Sequence, residues 1–313
     1  MKREIHLRAF LDYTVYALVR LVDELLNTIP ERLAMTVGRF LGRVAYIVLP
    51  DRRRAAEENL TIAFGKERSA HWVKRTAFKS FEHLGILGIE FLRIRRWTQA
   101  QMAERIVLEG RLPFNLAMMP GRDGICLLNS HFGCFEVSAA TLKFVGADMN
   151  LVVTGVKNPF LTRYLFTRGG SDTGIKTFPH KGIVKAMIEA MRNGEMVAFL
   201  GDQRGDAERG VFVNYFGTPA PANEVFAKIA IEGGGRVLPL CTYRVGNGTY
   251  KSIFGEEIPI TLSGDNRQDL VRVSQQFHDQ FEKWLRMYPE QGYWVQRKWR
   301  RSPSKRHSRR NSR

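Results

Sequence analysis

The run Gly124-Ile125-Cys126-Leu127-Leu128-Asn129-Ser130-His131-Phe132-Gly133-Cys134-Phe135-Glu136 decides how this chain is read. Its first half is a short apolar stretch ending at Asn129-Ser130, which has the length and composition of a strand buried on both faces. A helix then begins around Phe135, and Gly133 lets the chain turn sharply between the two. In open α/β sheets, sites are built in the crevice beyond the strand carboxyl ends. His131 falls in that crevice, and Glu136 in the first turn of the following helix. On one continuous helix, residues five apart diverge, so a loop-to-helix turn is the geometry that folds Glu136 back beside His131. An imidazole next to a carboxylate keeps one tautomer and tolerates the charge gained on accepting a proton. Such a pair is a general base for an alcohol, with the nucleophile supplied by the substrate. The spacing alone fits equally a histidine closing a loop and a glutamate suited to a helix N-terminus.

The same grammar extends on both sides. Segments 105–108, 124–129, 151–154, 175–178, 196–200 and 236–243 read as strands. Helical patterns separate them: 182–192, stopped by Asn193-Gly194, and 224–231, capped by Asn223 and stopped by Gly233-Gly234. A helix over 265–287 follows, with Leu270, Val273, Phe277, Phe281 and Trp284 on one stripe. Strands alternating with helices predict an α/β fold with a mostly parallel central sheet flanked by helices. The first hundred residues read as helical: 32–49 closed by Pro50, 52–64, and 71–92 with Trp72, Phe78, Phe81, Leu84 and Phe91 near one face.

The 313 residues suffice for a large core without staples, and a composition 44% hydrophobic and 25% charged excludes a disordered chain. The net charge of +17 calls for an anionic partner: nucleic acid, an acidic protein or an anionic membrane. Three cysteines with no C-x-x-C pair give no disulfide framework and fit a reducing compartment. No cleavage site follows the basic start, so no signal peptide is expected. Residues 7–26 come closest to a membrane span, but Arg8, Asp12, Arg20, Asp23 and Glu24 interrupt them. They read as a helix lying in an interface or, equally, as an ordinary packed helix.

Several blocks together resemble one family. Ser130–Glu136 looks like the H-x4-[D/E] block of the lipid A biosynthesis (late) acyltransferases, relatives of the glycerol-phosphate acyltransferases. Arg53-Arg54 with Asn59-Leu60 and Phe64 is similar to the family's basic N-terminal element, and Asn158-Pro159-Phe160-Leu161 to its N-P-L segment. Gly201-Asp202-Gln203-Arg204 followed by 210–217 resembles its D-Q block, Val237-Leu238-Pro239-Leu240 its closing strand, and Pro289-Glu290-Gln291 with Trp294, Arg297, Lys298 and Trp299 its terminal signature. Cys134-Phe135 stand where members often carry Asn-Trp, Gln296 where they have His, and Lys298 where they have Arg.

The resemblance implies a glycerol-phosphate-acyltransferase-like α/β core over 101–299, preceded in the same domain by a membrane-associating helical region, 1–100, and followed by a disordered basic tail, 300–313. It implies O-acyl transfer from an acyl thioester, on acyl carrier protein or coenzyme A, to a glycolipid hydroxyl, foremost that of a lipid A precursor. His131 is then the base and Glu136 its brace, with no cofactor or metal. Arg168 or Arg163, with Asp202 and Gln203, would bind substrate: the arginine clamping an anionic oxygen, Asp202 positioning a substrate hydroxyl or that arginine. A phosphatidylinositol mannoside is the alternative acceptor. The implied location is the cytoplasmic face of the bacterial inner membrane, peripheral or monotopic.

Other readings carry less. Cys134 is read as a packing residue rather than a thiol nucleophile. Asp202 and Asp206 bracket Arg204, which would repel a cation placed between them. The tail resembles a nucleic-acid arm, but no nucleic-acid module accompanies it, so no specific nucleic-acid partner is expected.

Overall fold

The structure, a computed structural model, describes residues 2–110, 123–145, 149–151, 156–167, 175–177, 182–206, 208, 210–246 and 248–299. Four long helices come first: α1 (Lys2–Thr28), α2 (Glu31–Val48), α3 (Pro50–Phe64) and α4 (Ala70–Ile94). The short α5 (Gln99–Arg105) leads into β1 (Ile106–Glu109), β2 (Ile125–Asn129), α6 (Phe135–Phe144) and β3 (Met149–Leu151). Next come α7 (Pro159–Thr162), a π-helical turn (Arg163–Thr167), β4 (Ile175–Thr177), α8 (Ile183–Arg192) and β5 (Met196–Leu200). A hairpin, β6 (Val211–Tyr215) and β7 (Thr218–Ala222), precedes α9 (Glu224–Gly233), β8 (Arg236–Gly246), β9 (Thr249–Phe254), α10 (Asn266–Met287) and a 3-10 turn (Pro289–Gln291).

Among the described residues the main sheet runs β1-β9-β8-β2-β5-β3-β4, with the hairpin separate. Every neighbouring pair in it is parallel except β8 with β9. The α/β class with a mostly parallel sheet and a helical N-terminal region therefore stands. Each residue of β2 is buried, as a parallel central strand covered by helices on both faces requires. Several elements depart from the sequence reading: β6, β7, β9 and the short α5 are absent from it, and β3 is displaced. Pro219 and Pro221 hide β7, because proline donates nothing to a ladder, yet a two-stranded hairpin accommodates them. The first strand after β2 lies at 149–151 rather than 151–154, and residues 152–155 are outside the described ones.

The helical region is built on close approach. A β-carbon on Gly85 would sit 2.1 Å from the Gly38 carbonyl oxygen, and one on Gly42 2.2 Å from that of Phe81, so α2 and α4 meet backbone to backbone. Pro50, expected only to end α2, also occupies the first turn of α3, where its missing N–H costs nothing, and the two helices bend by 94°.

The charges of α1, read as an open solvated side, include one that is buried. Asp23 is only 1% exposed; it pairs with Arg96 at 2.8 Å and accepts from the Tyr164 hydroxyl. Helix α1 thus docks through a charge while Phe10, Leu18 and Leu25 remain exposed. No single described helix is long and apolar enough to cross a membrane, although α2 and α3 together pass that test as a bent pair.

Candidate active site

Strand register builds the site. β2 and β5 run parallel, with Asn129 opposite Leu200. The residues two steps beyond each strand end, His131 and Asp202, consequently emerge side by side. The Asp202 carboxylate oxygen Oδ1 accepts from the His131 backbone N–H at 3.0 Å and lies 2.7 Å from ring nitrogen Nδ1. Its other oxygen, Oδ2, accepts from the Lys298 ammonium at 2.8 Å, and its carbonyl accepts from the same group at 3.1 Å.

Burial works against ionising Asp202, but the charges of Lys298 and then His131 outweigh it and hold the carboxyl well below the usual carboxylate range. An ionised carboxylate can only accept, so the neutral imidazole carries its proton on Nδ1 and keeps its lone pair on Nε2. That is the tautomer a general base needs. The rings of Phe135 and Tyr293 flank the imidazole at 5.3 and 5.4 Å. Ser130, Phe281, Leu285 and Trp294 close the recess behind it.

Lys298 reaches this position because the C-terminal segment is pinned against the helical region. The Asn59 amide, buried on α3, donates to the Trp294 carbonyl at 2.6 Å and to that of Gln296. The paired asparagine and terminal signature of the sequence are thus halves of one joint.

The turn after β2 follows the local reading. Gly133 has φ of +61°, and a β-carbon there would lie 2.1 Å from the Thr242 carbonyl oxygen, so only glycine fits. Glu136 stands in the first turn of α6, half-buried. Burial pushes its carboxyl up to about 7, opposed by the charge of His131. The brace on Nδ1, however, is Asp202 and not Glu136. No hydrogen bond joins the Glu136 carboxyl to another described side chain. Asp202, expected to position a substrate hydroxyl or an arginine, has Oδ1 on His131 and Oδ2 on Lys298.

Of the other expected residues, Gln203 is exposed beside Asp202, and Arg163 is exposed on the π-helical turn, away from the β2–β5 junction in the chain. Arg168 lies outside the described residues. Sequence reasoning gave Lys298 no place in the site; its position in the terminal signature was the available signal.

Glu136 has a testable energetic signature. A carboxyl raised in the folded state favours its protonated form, so its contribution to stability is complete below the ordinary glutamate range and is lost as pH rises through about 7. Glutamine carries no such loss. The advantage of Glu136→Gln over wild type in unfolding free energy, followed by denaturant titration, is expected to grow between pH 5 and pH 8 by an amount on the order of 2 kcal/mol or less.

The family model for bacterial lipid A biosynthesis acyltransferases matches residues 1–301. The chain belongs to that family. It is an acyltransferase. Among curated members, a lipid A biosynthesis acyltransferase of Haemophilus influenzae is 24% identical over 85% of this chain and 80% of its own. A lipid A biosynthesis lauroyltransferase of Escherichia coli is 24% identical over 96% and 94%. A solved structure of a 1-acyl-sn-glycerophosphate acyltransferase from Thermotoga maritima aligns over 83% of this chain and 96% of that one, at 14% identity and a TM-score of 0.35, too distant a likeness to inform the site. As a lipid A acyltransferase, the chain has its H-x4-E block at 131–136 on the crevice turn described above.

Proposed function

We propose that this family member transfers a fatty acyl group from a thioester, carried on acyl carrier protein, to a hydroxyl of a lipid A precursor, with His131 as general base. The observation that carries the reading is the Nδ1–H bond to an Asp202 that Lys298 keeps ionised, which leaves Nε2 basic. Nε2 takes the acceptor hydroxyl's proton as its oxygen forms a bond to the thioester carbonyl carbon. The carbon–sulfur bond then breaks, and the imidazolium returns the proton to the departing thiolate. The positive charge develops on the imidazole, and the Asp202 carboxylate at Nδ1 stabilises it directly. Glu136, within electrostatic reach, adds to that stabilisation in proportion to its ionised fraction. Lipids from cells lacking the protein, compared by mass spectrometry with a complemented strain, should lack one acyl chain on a lipid A-type molecule. An unchanged lipid profile, with no transfer by the purified protein, contradicts the reading.

The work takes place at an anionic bilayer surface. Phe40 in the middle of α2, and Ile47 and Val48 at its end, are 62%, 69% and 61% exposed. Just past the bend, Arg52 and Arg54 are exposed too. Apolar side chains beside arginines suit insertion at the boundary between headgroups and acyl chains, with each basic residue adding ~1 kcal/mol near an anionic surface. Placing glutamate at both 47 and 48 should cut binding to phosphatidylglycerol-containing vesicles by at least ~10-fold in a sedimentation assay, with the thermal midpoint retained.

A further inference from the structure

A second charged cluster lies under the 131–135 turn, and the reaction above makes no use of it. His83 and Glu90 come from α4, Arg244 from β8 and Tyr250 from β9, and all are largely buried. Arg244 engages Glu90 through two nitrogens, Nε at 2.7 Å and Nη2, while the Tyr250 hydroxyl donates to the same carboxylate at 2.6 Å. A third nitrogen of Arg244, Nη1, lies 3.0 Å from Nδ1 of His83, and Nε2 of His83 lies 3.0 Å from the Gly133 carbonyl oxygen.

Because a guanidinium has no lone pair to offer, Nδ1 of His83 must accept, and the proton must sit on Nε2, aimed at Gly133. Burial, then the charge of Arg244, depress His83 to about 3 and keep it neutral in this tautomer. The other side of the same residue is held as firmly. Gly133 N–H donates to the Gln291 carbonyl at 2.9 Å, and the Gln291 side chain is fixed by both backbone groups of Arg244, at 3.0 and 2.9 Å.

We propose that His83 is a positioning residue for acyl transfer: by donating from Nε2 to the Gly133 carbonyl, it sets the turn that aims the His131 imidazole between Asp202 and Glu136. Stability alone is a weak reason for such a cluster, since buried ion pairs replaced by well-packed apolar residues often leave a protein equally stable or more so. A fully satisfied polar network does fix one geometry, and here that geometry belongs to a residue two positions from the base. Misplacing a reacting group by about 1 Å costs on the order of 10²-fold in rate.

This role rests on the proposed use of His131, so the test reads position and turnover separately. The probes are the Nδ1–H proton resonance of His131 in imidazole-labelled protein, assigned through its loss in His131→Ala, and steady-state transfer from acyl carrier protein thioester to a lipid A precursor. His83→Leu removes the donor, with His83→Met as its unbranched equivalent. His83→Gln keeps an N–H for Gly133 and a carbonyl for Arg244. The apolar variants should displace or broaden the resonance and lower kcat ~10–100-fold with KM within about twofold, whereas Gln should restore the resonance and bring kcat within ~5-fold of wild type. A folded apolar variant with an unmoved resonance overturns the proposal, and so does wild-type kcat in that variant. If neither apolar variant folds, the Gln variant decides: kcat and resonance retained support the role, and their collapse in a folded protein removes it. Should the wild type transfer no acyl group to this acceptor, the proposed function fails, while the resonance still reports on His83.

Discussion

His131→Ala should lower turnover by ~10²–10⁴, the usual contribution of a positioned general base, and leave the fold intact. The second half of that expectation comes from the structure. Asp202 keeps its 2.8 Å bond to Lys298 when the imidazole is gone, so no buried charge is stranded. The rings of Phe135 and Tyr293 line the space that is vacated. Single-turnover transfer together with a thermal melt checks both halves. A near-wild-type rate in the alanine variant would remove His131 from the chemistry.

Asp202→Asn should be as damaging to turnover, and it should also cost stability. An amide facing Nδ1 can present its N–H and so favour the tautomer with Nε2 protonated, which cannot accept a proton; tautomer errors of this kind lower rates by ~10⁴ in related dyads. The same change leaves the Lys298 ammonium buried without its counter-charge, at a cost of about 3–5 kcal/mol. The two effects separate in a double variant. Asp202→Asn with Lys298→Met removes the stranded charge, so the thermal midpoint should recover while turnover stays low. Recovery of both would make Asp202 a stability residue only.

The difference between reading Glu136 as the brace and finding Asp202 there shows what a sequence can disclose. The H-x4-E block is local: strand, glycine turn and helix start lie within thirteen residues, and each has a signature in composition and spacing. The contact between His131 and Asp202 spans seventy-one residues and exists only because β5 lies next to β2 in a particular register. No periodicity within either strand encodes that adjacency. The terminal signature marked Lys298 but not its partner, for the same reason, and His83 and Glu90 on α4 were illegible without the Arg244 that β8 supplies. Helices α8, α9 and α10 were readable from their caps and stripes. The hairpin was not, because its proline-rich second strand contradicts every local preference for strand.

The register between β2 and β5 also limits how this enzyme can evolve. Side chains alternate faces along a strand, so deleting one residue within 196–200 would turn residue 202 away from the imidazole as well as shorten its reach. Length changes in the loops joining the strands leave that alignment alone. Divergence among relatives is therefore expected to accumulate as insertions between strands, while the number of residues from each strand to its active-site side chain stays constant.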